Sequence, residues 1–143
     1  MYRKLHPAIH QSVYAAGSQT PVFRAEGLTF GIVICNDSNY AEPAKLMAAQ
    51  GATALFVPTN NGLPAKSAHP ELVGEARKVD IARALENRMW VIRADVAGHN
   101  GALMSYGCSG IVDPDGKIAH EAPLHTVEVL VAEIPADPAA MVP

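Results

Sequence analysis

The chain has 143 residues, 49% hydrophobic and 17% charged, with a formal net charge of -3 and a pI near 6.0, the composition of a globular body with one core rather than of a disordered chain. Eleven Lys and Arg stand against fourteen Asp and Glu with no basic run, so there is no electrostatic footprint for phosphate backbones and nucleic acid is not an expected partner. The longest nearly unbroken apolar stretch, Leu28 to Cys35, is too short for a bilayer and Met1-Tyr2-Arg3-Lys4 lacks a signal-type apolar block, so no membrane association and a cytoplasmic location are expected.

In chain order, the Gly17-Ser18-Gln19-Thr20-Pro21 cluster reads as a turn opening a strand. Pro21 to Arg24 and Leu28 to Cys35, separated by Glu26-Gly27, read as a hairpin whose second strand is buried on both faces and ends at Cys35. Asn36, Asp37, Ser38 and Asn39 are helix-capping residue types, and Ala44, Leu46, Met47, Ala48 and Ala49 before Gly51 predict a short helix with a C-cap glycine. Ala52 to Val57 reads as a second buried strand, with Pro58 to Pro64 a polar loop at its end. Pro70 to Arg88 predicts the clearest helix, with Leu72, Ala76, Val79, Ala82 and Leu85 as one apolar stripe and Glu71, Glu75, Lys78 and Glu86 opposite. Trp90 to Ala94 reads as a strand, followed by a loop through Gly98 and Gly101. Further apolar segments lie around Met104, at Gly110 to Val112, Lys117 to His120 and Val127 to Ile134, with Asp113-Pro114-Asp115-Gly116 as a turn and residues 135–143 as a flexible tail. No internal repeat or linker divides the chain, and the alternation of elements predicts a layered α/β sheet.

Cys35, where a buried strand gives way to a capped helix, is held rigidly within reach of a substrate, and a helix start favours the thiolate over the thiol. The alternative is a small buried residue closing an apolar run. Cys108, in Gly107-Cys108-Ser109-Gly110, reads as filling space beneath a turn, and the wide separation of the two cysteines argues against a disulfide framework. His6 and His10 have i, i+4 spacing, but Pro7 opposes a helix through them and no third ligand is evident, so no metal site is expected.

Tyr2-Arg3-Lys4-Leu5-His6, Cys35-Asn36-Asp37, Glu42 seven residues past the cysteine, the Ala82 to Asn87 helix running into Trp90-Val91, and Ser105-Tyr106-Gly107 before Gly110 to Gly116 together resemble the C-terminal half of the carbon-nitrogen hydrolase, or nitrilase, superfamily. The resemblance covers the chain to about Ile134. It implies half of an α-β-β-α sandwich, with residues 1–143 as a partial domain, and hydrolysis of a nonpeptide carbon-nitrogen bond of amide or carbamoyl type. It further implies that Cys35 is the nucleophile that forms a thioester, that Lys4 and the backbone N–H of Asn36 meet the oxyanion, and that Asp37 and Glu42 support the site. Asn36 and Asp37 after the cysteine, where true nitrile hydrolysers usually carry Trp and Glu, favour an amide over a nitrile. Asn60 and Asn61 are candidate substrate contacts, with ordinary turn residues as the alternative. No cofactor is implied.

The superfamily's general-base glutamate lies upstream of the lysine segment and has no match here, and a second glutamate has none in Gln11-Ser12-Val13-Tyr14. The expectation is therefore an enzyme half that is incomplete as a lone chain and acts on a small-molecule amide or carbamoyl substrate as a homo-oligomer or with a complementing N-terminal half. The rival is a noncatalytic half-domain serving as an interaction module.

Overall fold

Glu26 and Gly27, with φ of 49° and 77°, reverse the chain between strands β1 (Val22–Ala25) and β2 (Leu28–Ile32), the left-handed turn that matches strand twist in a hairpin. The structure, a computed structural model, describes residues 2–8, 13–64 and 71–136. After β2 come a single 3-10 turn (Cys35–Asn39), helix α1 (Ala41–Ala49), β3 (Ala54–Thr59), β4 (Leu63–Pro64), helix α2 (Glu71–Asn87), β5 (Trp90–Asp95), β6 (Ala97–Asn100), β7 (Leu103–Tyr106), β8 (Gly110–Val112) and β9 (Ile118–Glu121). Six strands form one sheet in the order β1-β2-β3-β5-β8-β9, and β4-β7-β6 form a smaller one. Pairing is parallel from β2 through β3 to β5 and antiparallel at both margins.

One face of the large sheet carries the core. Leu55, Val57, Val91 and Val112 pack with Val33 against Ala44 and Met47 of α1 and Ala84 of α2, all at most 1% exposed. Helix α1 ends in the left-handed glycine that the sequence predicts. Gly51 has a φ of 92°, its N–H donates to the Ala48 carbonyl at 2.9 Å, and the Ala52 N–H donates to the Met47 carbonyl at 3.1 Å, which together satisfy two orphan carbonyls.

The opposite face is also apolar. The cross-strand registers put Phe23, Phe30, Ala54 and Trp90 in one row and Ile32, Phe56, Ile92 and Ile111 in the next. Phe30 lies edge-on to Phe56 with ring centroids 5.2 Å apart. Both helices lie on the other side, so this face resembles an inner layer rather than a solvent surface.

Five expectations need correction. Strand β2 stops at Ile32, although the Val33 N–H still donates to the Phe56 carbonyl at 3.0 Å, because Cys35 turns into the left-handed region at φ 50°. Asn36 to Asn39 do not cap α1. They build the 3-10 turn themselves, and the cap residue of α1 is Tyr40, which makes no side-chain cap bond. The loop through Gly98 is in part strand β6, paired with β7 from Ala97↔Tyr106 to Asn100↔Leu103. Val127 to Ile134 forms no ladder among the described residues: Val127, Val129 and Val131 stand out at 94%, 82% and 74% exposed, while Leu130, Ala132 and Ile134 are half-buried. The pattern is that of a strand that is apolar on both sides.

The fifth correction concerns α2. Its buried residues are Arg77, Asp80, Arg83 and Ala84, whereas Leu72 and Leu85 are 44% and 49% exposed. Glu71, Glu75, Lys78 and Glu86 are exposed as expected, but the side that packs inward is the one carrying Arg77, Asp80 and Arg83, where strand β5 offers a buried guanidinium, Arg93, for Asp80 to meet. Pro70, His10 and residues 137–143 lie outside the described residues.

Candidate active site

Cys35 opens the 3-10 turn with backbone angles that cost a non-glycine residue about 1 kcal/mol or more. Its neighbours hold it there. The Ser38 hydroxyl donates to the Cys35 carbonyl at 2.9 Å, and the Asp37 N–H donates to the Ile34 carbonyl at 3.1 Å. The half-buried thiol faces Asn61, with Sγ 3.8 Å from Oδ1.

The segment that carries Lys4 is fastened to this elbow by one carboxylate. Asp37 is fully buried, and its Oδ2 accepts from the Tyr2 hydroxyl at 2.6 Å, the Leu5 N–H at 3.3 Å and the Ile34 N–H at 3.2 Å, while Oδ1 accepts from the His6 N–H at 2.6 Å. Asn36 returns a bond, its Nδ2 donating to the His6 carbonyl at 3.0 Å, and the His6 ring stacks on Tyr40 at 3.7 Å. Burial pushes the Tyr2 hydroxyl well above its ordinary range, reinforced by its bond to Asp37 and that carboxylate's charge, so it stays protonated as a donor. Lys4 is half-buried between two residues bound to Asp37, and its carbonyl accepts the Gly17 N–H at 2.8 Å. Glu42 is exposed in the first turn of α1, beside a depression lined by Leu5, His6, Gly17 and Ser18 rather than in the cavity of the thiol.

That cavity, of about 370 Å³, brings Cys35 and Asn36 together with Asn60 and Asn61. Asn60 accepts the Ser105 hydroxyl at 3.0 Å through Oδ1, and the Asn61 N–H donates to Asp95 Oδ1 at 3.4 Å. Cys108 is in the same wall. Its Sγ lies 2.9 Å and its N–H nitrogen 3.1 Å from Asp95 Oδ2, and burial, then the bond to Asp95 and that charge, push the thiol up to about 12. It is a hydrogen-bond donor at neutral pH.

Behind the cavity lies a buried ionic network that the sequence reading missed. Asp80, 1% exposed, accepts Arg93 Nε at 2.9 Å and Nη2 at 2.6 Å, and Arg77 Nη1 at 3.1 Å. Arg93 goes on to donate to Thr59 Oγ1 at 2.8 Å and Ser38 Oγ at 3.2 Å, while Arg77 donates to the Cys108 and Ser109 carbonyls at 3.1 and 3.2 Å. A Cβ at residue 110 would strike the Arg77 guanidinium, so Gly110 gives that side chain its room. Burial works against the Arg93 charge, but the hydrogen bonds and charge of Asp80 outweigh it and raise the guanidinium above its ordinary value. The available signal was an i, i+3 Arg77/Asp80 pair on an otherwise amphipathic helix, together with an arginine inside an apolar strand.

No group of three or more His, Cys, Asp or Glu among the described residues is arranged to hold a metal ion, and no helix among them is long and apolar enough to cross a membrane.

Cys35 stands at a strand-to-helix elbow at the end of a parallel sheet, with the Tyr2-to-His6 segment fastened beside it, although Lys4 is not among the residues that line the cavity of the thiol; the α/β architecture is that of the nitrilase fold. The chain matches the family model described as carbon-nitrogen hydrolase over residues 1–141 and belongs to that family. It is 32% identical over 118 residues to "Hydrolase in pqqF 5'region" of Pseudomonas protegens, covering 80% of this chain and 39% of that protein. It is 30% identical over 123 residues to the 2-oxoglutaramate amidase of Bacillus subtilis, covering 84% and 45%. Among solved structures, a variant of the amidase from Nesterenkonia sp. AN1 in complex with butyramide superposes with a TM-score of 0.73 at 26% identity, covering 87% of this chain and 46% of that one. Another variant of that amidase, with the acetamide moiety of fluoroacetamide added at its active-site cysteine, matches with a TM-score of 0.73 at 27% identity, covering 87% and 46%. The chain thus spans less than half the length of these relatives.

Proposed function

We propose that the chain is the nucleophile-bearing half of an amidase-type carbon-nitrogen hydrolase. The observation that carries this reading is the Asp37 clamp, which binds Tyr2, Leu5 and His6 to the turn that Cys35 opens. In the reaction, the Cys35 thiolate attacks the carbonyl carbon of an amide or carbamoyl group, and the oxyanion is met by the Lys4 ammonium and the Asn36 N–H. Collapse breaks the carbon-nitrogen bond, the amine leaves with a proton, and water then cleaves the thioester to release the acid. Asp37 positions the lysine segment, Glu42 supports it, and Asn60 and Asn61 contact substrate.

The proton acceptor for both steps is a glutamate from sequence outside these 143 residues, carried by a second, N-terminal half. The apolar second face of the large sheet and the unladdered valines at 127, 129 and 131 support a docking half of this kind. The test is an amide panel assayed with the chain alone and with the N-terminal half of a relative supplied in trans. Turnover that needs the mixture and Cys35 is the expected result. Equal turnover by the chain alone overturns the need for a second half, and unchanged turnover by Cys35→Ala overturns the nucleophile. No turnover in either arm, with no association of the halves, favours the noncatalytic module.

A further inference from the structure

Asn60 and Asn61 both line the cavity of the thiol, but their carboxamide oxygens are engaged differently. Asn60 Oδ1 accepts the hydroxyl of the buried Ser105 at 3.0 Å. Asn61 Oδ1 lies 3.8 Å from Cys35 Sγ and is the acceptor for that thiol among the described residues. Its main chain holds it there. Thr59, which ends β3, accepts the Val96 N–H through its carbonyl at 3.1 Å and Arg93 Nη1 through its hydroxyl oxygen at 2.8 Å, and the Asn61 N–H donates to Asp95 Oδ1 at 3.4 Å. Asp95, 9% exposed, is pinned in turn by the Cys108 N–H at Oδ2 and by its own N–H on Ser109 Oγ. The Ser38 hydroxyl is already committed to the Cys35 carbonyl and to Arg93.

Attack removes the proton that the thiol shares with the Asn61 oxygen. A half-buried acceptor left without a donor disfavours the complex, unless the electrophile supplies one. An amide carbon in line for attack sits about 3–3.5 Å from the sulfur, with its nitrogen about 1.3 Å beyond. An oxygen 3.8 Å from the same sulfur is then within hydrogen-bond reach of an N–H on that nitrogen.

We propose that Asn61 is a specificity-determining residue whose carboxamide oxygen accepts a hydrogen bond from the leaving nitrogen of the substrate. The substrate class is then an amide or carbamoyl compound with at least one N–H on the nitrogen that leaves, in preference to the ester or nitrile of the same acyl chain, which has no donor there. This inference rests on Cys35 being the nucleophile of the same cavity, and the test separates the two. Cys35 is modified with methyl methanethiosulfonate, a thiol reagent without an N–H of its own, in the presence of butyramide or of 2-pentanone, which carries a methyl group of like size in place of the amide nitrogen. Modification at each cysteine is followed by peptide mass, and each protein is referred to its own unprotected rate.

In the native chain, butyramide protects Cys35 at concentrations about tenfold below 2-pentanone. In Asn61→Leu, which keeps the bulk and removes the acceptor, the preference disappears; in Asn61→Asp, which keeps an acceptor oxygen, it survives. Equal protection by the two ligands, better protection by 2-pentanone, no protection by either, a preference that survives Asn61→Leu, or one lost in Asn61→Asp overturns the inference and leaves Cys35 as nucleophile. Failure of Cys35 to react ahead of Cys108 overturns that underlying reading, and the inference with it.

Discussion

Cys35 and Cys108 line the same cavity, and both of their loops are tied to the same carboxylate. Asp80 holds Arg93, which reaches Ser38 and through it the Cys35 carbonyl, and it holds Arg77, which caps the Cys108 carbonyl. The difference lies in what surrounds each sulfur. Cys35 is strained in its backbone, half-buried, and 3.8 Å from a neutral amide oxygen. Cys108 is buried, 2.9 Å from a carboxylate, and titrates near 12. A shared scaffold thus leaves one thiol half-exposed and holds the other as a fixed donor, and reactivity follows the thiolate and its exposure.

The contrast is broken or sharpened first by labelling. At pH 8 a thiol titrating near 12 is ionised to about one part in ten thousand, so iodoacetamide should modify Cys35 at least about a hundredfold faster than Cys108, as read by mass spectrometry of the two peptides. Comparable rates would erase the distinction. Next in size is the shared anchor. Asp80→Ala leaves the buried Arg93 guanidinium without its carboxylate and Arg77 with Glu121 as its remaining one, and should cost about 3–5 kcal/mol in urea unfolding, with both cysteines becoming more reactive as their loops loosen. Asp37→Ala acts on the Cys35 side alone: loss of the clamp should cost about 1–3 kcal/mol and speed hydrogen exchange at the Leu5 and His6 amides, with little change around Cys108.

The smallest effect at neutral pH belongs to the Cys108 side. Its folded value of about 12 lies above the ordinary 9.0, so the folded state holds the proton more tightly. The resulting stabilisation is complete below pH 9 and is lost as pH rises from about 9 to 12. Cys108→Ala should flatten the alkaline slope of the unfolding midpoint over that window, while a Cys35 substitution should leave the slope in place.

Much of this was legible in the residues. Runs of β-branched and aromatic side chains marked β2, β3 and β5, Gly51 marked the end of α1, and the Tyr2-to-His6 and Cys35-to-Asp37 segments pointed to the two pieces that the Asp37 clamp joins. What could not be read was pairing across distance. Periodicity sorts a helix into polar and apolar sides but does not anticipate a buried arginine waiting on another strand, so the Arg77, Asp80 and Arg83 side of α2 was not expected to be the most buried one. Asp37 was expected to shape its own turn, but nothing local indicated that it would also seize Tyr2, 35 residues earlier.

The left-handed backbone at residue 35 also sets how this protein would respond to laboratory evolution. Glycine is the one residue that occupies φ 50° without steric penalty, so Cys35→Gly should be better tolerated thermally than Cys35→Ala, even though both lack the sulfur. A screen that rewards heat resistance alone would therefore drift toward discarding the thiol, and variants should be ranked on retained alkylation as well as on melting temperature.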